Sequence, residues 1–180
     1  MIKIRILKKY LSNNKLLGVG SIKAMIDYIN FCKNNGGIIT FSDIIYNEKE
    51  YNNFLKWFEE SIVPFDIIEL FDSGYSIILD QEYYEYDWLT ESRTKSNYGD
   101  GHDYEFIFKL FISDKLSYLN SSLKFDSENG MFCVSCNDIE KVIELIYELS
   151  CLYKNENKMI KLIRKGKLLN CNIDLENIKL

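Results

Sequence analysis

The alternation of Ile2, Ile4 and Ile6 with Lys3 and Arg5 predicts a half-exposed strand over residues 2–8. Gly18 and Gly20 mark a loop, and Ser21 can cap a helix running to about Asn35 with Met25, Ile26, Ile29 and Cys32 on one face. Gly36-Gly37 stops it. The apolar run IITFSDIIY, residues 38–46, reads as a second strand. Asn47 and Glu50 have capping-box spacing, and Tyr51, Phe54, Leu55, Phe58 and Ile62 follow at helical intervals until Pro64 ends the element.

From Phe65 the texture changes. Phe65–Phe71 and Tyr75–Leu79 are apolar strands around Asp72-Ser73-Gly74, a hairpin signal. A polar stretch follows, then a helix from about Asp103 to Ile112. Leu123–Phe125, a turn at Asp126–Gly130 and a strand at Met131–Cys136 come next. Asn137 and Glu140, again at capping-box spacing, open a long helix with Ile139, Val142, Ile143, Ile146, Leu149 and Tyr153 on one side. A last helix, Glu156–Lys165, is expected to end at Gly166. There is no internal repeat. Hairpin-like strands followed by helices predict an α+β fold, an antiparallel sheet with helices packed mainly on one face, in a single domain.

At 180 residues with one proline and no low-complexity tract, the chain is expected to fold throughout. No apolar run approaches the ~18 residues of a membrane span. The N-terminus has positive charge but no apolar stretch or cleavage site of a signal peptide, so the expected location is cytoplasmic. The five cysteines (Cys32, Cys133, Cys136, Cys151 and Cys171) are odd in number and read as reduced thiols. Cys133 and Cys136 form a CxxC, but on a strand residues three apart face opposite ways, and no second Cys or His pair completes a zinc site. They read as core or edge residues.

The net charge is −5, and lysine outnumbers arginine nineteen to three, which argues against a nucleic-acid partner. The charge is unevenly placed. Residues 80–105, DQEYYEYDWLTESRTKSNYGDGHDYE, hold eight acids and two bases, a net −6, so the other 154 residues sum to +1. The same stretch holds Tyr83, Tyr84, Tyr86, Trp88, Tyr98 and Tyr104. Aromatic anchors among carboxylates suit a surface that docks a basic protein. A solvated loop whose rings fold back on the core is the competing reading.

The same segment carries the only histidine. Asp100, His102, Asp103 and Glu105 could hold a metal ion and support a small metal-dependent hydrolase. Gly99-Asp100-Gly101-His102-Asp103 also reads as a turn and cap into the following helix, and that reading is favoured. No phosphate-binding loop, dinucleotide fingerprint or catalytic-triad signature occurs, and no cofactor is implied. The basic run Lys158, Lys161, Arg164 and Lys165 reads as a solvated helix face.

Three stretches together resemble a known family: VPFDIIELFDSGYSIIL, then YGDGHDYEFIFKLFI, then LKFDSENGMFCVSCNDIEKVIELIYEL. Their order is similar to that of the immunity protein 51 family of bacterial polymorphic toxin systems, over residues 62–166. The middle motif departs from the family pattern, with His102 where an aromatic is usual and Tyr104 in place of Trp, and 81–98 matches poorly. The resemblance implies a non-enzymatic antidote that binds a cognate toxin domain; the charge and the short apolar runs argue against a nucleic-acid or membrane partner. It divides the chain into an extension over 1–61 (strand, helix, strand, helix) continuous with the same fold, a core over 62–166 and a tail over 167–180. The acidic aromatic segment then supplies the expected toxin contacts: Tyr84, Tyr86, Asp87, Trp88, Glu91, Tyr98, Asp100, His102 and Asp103. The readings that compete with it are the hydrolase above and a non-catalytic adaptor that binds a peptide.

Overall fold

The computed structural model describes residues 19–70, 74–83 and 100–170. The strand expected at 2–8, Cys171 and most of the acidic aromatic segment lie outside them.

Helix α1 (Val19–Asn34) is closed by Gly36, whose φ of 80° is the left-handed conformation that glycine adopts freely. The run expected as a strand at 38–46 is instead a short helix, α2 (Phe41–Tyr46). Thr40 explains the difference. Its hydroxyl accepts the Asp43 N–H at 3.3 Å, and Asp43 Oδ2 accepts the Thr40 N–H at 2.8 Å, a reciprocal capping box inside the apolar run. Asn47 ends α2 and at once begins α3 (Glu48–Ser61), its Oδ1 accepting from the N–H groups of Lys49 at 3.0 Å and Glu50 at 3.3 Å.

The sheet is antiparallel, with strands β1 (Asp66–Glu69), β2 (Tyr75–Asp80), β3 (Lys124–Phe125) and β4 (Met131–Cys136) in the order β1-β2-β4-β3. Register fixes the faces. Ile67 opposes Ile77, Ile77 opposes Val134 and Leu79 opposes Phe132, so these five buried side chains share one face. On the other face Ile78 opposes Cys133 and Ser76 opposes Ser135. Cys133 is half-buried and Cys136 buried on opposite sides of β4, as the strand period requires.

Helices α4 (Gly101–Lys115) and α5 (Ile139–Tyr153) cover the apolar face. Phe108 of α4 meets Phe132 edge-on at 4.8 Å between ring centroids, and Phe65 lies 5.7 Å from Phe108 and 5.8 Å from Tyr153. A second aromatic layer joins α1, α3 and α5. Tyr28 touches Phe54 at 5.6 Å and Trp57 at 5.4 Å, and Phe58 stacks on Tyr147 at 5.8 Å. The arrangement is α+β, an antiparallel sheet with helices on one face in one domain.

Several boundaries differ from expectation. Helix α1 starts at Val19, so Gly20 and Ser21 lie in its first turn instead of forming a loop and a cap. Helix α4 starts at Gly101, so Asp103 lies within its first turn. The cap of α5 is Asp138 rather than Asn137, with Asp138 Oδ1 accepting from the Glu140 N–H at 3.0 Å. Helix α6 (Glu156–Asn170) runs through Gly166 instead of stopping there. A glycine inside a helix costs about 1 kcal/mol relative to alanine, which weakens a helix without ending it.

Candidate functional site

The described ends of the acidic aromatic segment, 80–83 and 100–105, are both anchored. At its start, β2 passes into a 3₁₀ turn at Gln81–Tyr83, and the Asp80 carboxylate accepts the Glu82 N–H at 3.1 Å. The buried Tyr153 hydroxyl of α5 then donates to the Tyr83 carbonyl. At its end, Asp100 caps α4. Asp100 Oδ1 accepts the Asp103 N–H at 3.0 Å, and Asp103 Oδ2 accepts the Asp100 N–H at 3.1 Å. The Tyr153 ring also lies 6.3 Å from that of Tyr104, in the first turn of α4. One side chain thus touches both ends of the segment, which brings its entry and exit to one place on the molecule.

Gly101 seats the exit end. Its N–H donates to the Asn129 carbonyl at 3.1 Å. A Cβ at this position would lie 2.1 Å from the Glu128 oxygen and 2.3 Å from the Met131 oxygen, both backbone. Only glycine lets α4 begin this close to the β3–β4 turn. That turn is held in its own right, since Ser127 Oγ accepts the Cys133 N–H at 3.0 Å and Glu128 pairs with Met131.

Of the nine residues expected to contact a partner, Tyr84, Tyr86, Asp87, Trp88, Glu91 and Tyr98 lie outside the described residues. Asp100 and Asp103 come together in the capping box, each half-buried, while His102 between them is exposed. Glu105, one turn further, forms an ion pair with Lys109. Burial pushes the Glu105 carboxyl up, but the bonds from Lys109 and Ser127 outweigh it and hold its pKa below the usual value. The acids near His102 therefore have structural partners. Among the described residues, no group of three or more His, Cys, Asp and Glu side chains is placed to hold a metal ion.

Cys133 and Cys151 are not activated either. Burial raises the Cys133 pKa, and Asp126, Glu105 and Glu128 add to that rise against a lowering bond with Ser76. Burial likewise raises Cys151. A raised pKa keeps both as neutral thiols at pH 7, the opposite of what a nucleophile or metal ligand needs.

Sequence reasoning missed two surface features. Tyr118, exposed in the 3₁₀ segment Ser117–Ser122, hydrogen-bonds Glu144 on α5. The solvent side of α2 is apolar, with Phe41, Ile45 and Tyr46 exposed. The Tyr118 contact spans 26 residues and left no local signal. The α2 surface was hidden by the reading of 38–46 as a strand. Among the described residues, no helix is long and apolar enough to cross a membrane.

The family model described as Immunity protein 51 matches residues 65–168, a segment that holds the whole sheet, α4, α5 and most of α6. No curated protein and no solved structure matches the chain.

Proposed function

The chain belongs to the immunity protein 51 family, and on that premise we propose that it neutralises a cognate bacterial toxin domain by binding it, without chemistry of its own. The family match carries this reading. The toxin would belong to a polymorphic toxin system, and the encounter would take place in the cytoplasm, where the chain's cysteines would stay reduced.

The acidic aromatic segment is the leading contact in this proposal. Its charge supports the choice, because the excess negative charge of the chain is concentrated there. The anchoring of both its ends supports it too, since a tethered segment loses less freedom on binding than an untethered one. Tyr84, Tyr86, Trp88 and Tyr98 would supply contact area, and Asp87 and Glu91 would meet basic groups. A toxin that acts on phosphates carries such groups in its active site, and the carboxylates would take the place of the substrate's phosphates there. Asp100 and Asp103 would contribute by holding the exit of the segment, with His102 exposed beside them.

The test is a tagged pull-down from the native host at low and high salt, followed by titration of the purified partner. One dominant partner carrying a C-terminal toxin domain is expected, with affinity falling as salt rises. Charge reversal at Asp87 and Glu91 should weaken binding at least tenfold without lowering the melting temperature. Unchanged affinity would make the segment ordinary surface. Asp100 is unsuitable for that variant, because its carboxylate caps α4.

A further inference from the structure

We propose that Asn129, at the tip of the β3–β4 turn, is a site of spontaneous covalent modification, at which the side-chain amide is lost and the backbone is rerouted through the side chain as isoaspartate. Water is the only co-reactant, and no partner is required.

Asparagine is a thermolabile residue, and a following glycine has no side chain to block approach to its nitrogen. The Gly130 nitrogen gives up its proton to solvent base and attacks the side-chain carbonyl carbon of Asn129. A carbon–nitrogen bond forms, the bond to the amide nitrogen breaks, and ammonia leaves with a proton taken from water. Water then opens the five-membered imide at one of its two carbonyls. Opening at the side-chain carbonyl leaves aspartate. Opening at the backbone carbonyl leaves isoaspartate, whose chain is one methylene longer and whose α-carboxylate is free. Either product carries one more negative charge than asparagine.

Two asparagine–glycine pairs lie among the described residues, Asn35-Gly36 and Asn129-Gly130, and the fold treats them oppositely. Asn35 Nδ2 donates to the Phe31 carbonyl at 2.8 Å, which holds the amide back along α1. The Gly36 N–H donates to the Lys33 carbonyl at 3.1 Å, so the attacking group is occupied as well. Both bonds must break before the ring can close, which slows the reaction there by about tenfold or more. Asn129 is exposed. Among the described residues no hydrogen bond holds its side chain, and the Gly130 N–H donates to no backbone acceptor. Glu128 and Met131 exchange backbone bonds at 2.9 and 3.1 Å, which pins the ends of this two-residue link and leaves its tip open to water.

The modification bears on the start of α4. The Asn129 carbonyl accepts the Gly101 N–H at 3.1 Å, and the Glu128 and Met131 carbonyls stand where a Cβ on Gly101 would fall. Isoaspartate inserts a methylene between two residues whose spacing is fixed. It also replaces the carbonyl that receives Gly101 with a free carboxylate. The close seat of α4 on the turn is then loosened, and with it the exit end of the acidic aromatic segment.

The test incubates the purified full-length protein at mildly alkaline pH below its melting temperature, beside the same protein unfolded in urea. Peptide mass spectrometry reads the conversion at both asparagines. An isoaspartyl methyltransferase marks the isoaspartate product, and anion exchange separates the more acidic form. In the folded protein, conversion at Asn129 is expected to run about tenfold or more ahead of that at Asn35, with comparable rates in urea. The separated isoaspartate form should melt about 2 °C or more below the unmodified protein. Asn129→Gln should remove the conversion at this position and leave the melting temperature unchanged. Conversion in urea with none at Asn129 in the folded protein would overturn the proposal. So would equal rates at the two sites in the folded protein, which would leave the dipeptide and not the fold in control. An isoaspartate form that melts with the unmodified protein would overturn the link to α4.

Discussion

Tyr147 donates its phenolic hydrogen to Asp27 Oδ2 at 2.7 Å, a bond that crosses from α5, within the family-matched segment, to α1, which precedes it. Burial first, and then the Asp27 carboxylate, push the phenol well above its ordinary pKa, so it stays a neutral donor throughout the working pH range. Lys23 of α1 pairs with Glu148 beside it. Ala24, Met25 and Tyr28 of α1 sit in the same core cluster as the sheet.

Tyr147→Phe should therefore cost about 1–2 kcal/mol, the worth of a hydrogen bond to a charged acceptor. Because α1 shares the core, amide-exchange protection in α1 and in β2 and β4 should fall together. Loss confined to α1 would make residues 19–61 a separately opening module, contrary to the expectation that they continue the same fold.

Gly101→Ala should be among the most damaging single-methyl additions in the chain. Its new Cβ would fall on two backbone oxygens of the β3–β4 turn, where no side chain can swing aside. A cost of about 3 kcal/mol is expected from such overpacking, read by urea unfolding. A change under about 1 kcal/mol would show that α4 can slide off the turn without loss.

Acid should destabilise the fold in part through Glu105 and Asp43. Hydrogen bonds to Thr40 lower the Asp43 pKa below 3.8, and bonds from Lys109 and Ser127 overcome burial to lower Glu105 below 4.5. A carboxyl with a lowered folded pKa binds fewer protons folded than unfolded, so its contribution is complete above the unfolded pKa. It is lost as pH falls through the folded value. Melting temperature should thus hold steady above about pH 5.5 and decline below about pH 4.5. Glu105→Gln should lower the plateau and flatten part of the decline. An unchanged slope in that variant would remove Glu105 from the account.

How far the sequence discloses these features depends on the range of the interaction behind them. Asp100 and Asp103 are legible as caps because the bonds join residues three apart. The hairpin is legible from two apolar runs on either side of Asp72-Ser73-Gly74, and the split of Cys133 from Cys136 follows from the strand period. Helix α2 was misread because Ile38, Ile39, Ile44 and Ile45 favour a strand by type, while one local exchange between Thr40 and Asp43 decides for a helix. Ser150 Oγ reaching the Ile62 carbonyl at 3.0 Å, across 88 positions, leaves no pattern to read. The same holds for Tyr153 and Tyr83, 70 positions apart.

That last contact gives the sharpest separation of stability from binding. Tyr153→Phe keeps the ring that packs on Phe65 and Tyr104 and removes the hydroxyl that reaches the Tyr83 carbonyl. Tyr83 is exposed, so water can replace the lost donor at its carbonyl, and the stability cost should be about 0.5–1 kcal/mol. In a chain of this size that is a fall of roughly 1–4 °C in melting temperature. The entry end of the acidic segment, however, loses its tie to α5. If that segment carries the partner contact, the complex must then restore order that the free protein no longer has, and dissociation should quicken by about fivefold or more. Surface plasmon resonance against the purified partner would read this directly. Unchanged dissociation together with the small thermal shift would mean that binding does not depend on how the segment is anchored. The contact would then have to be sought on another face.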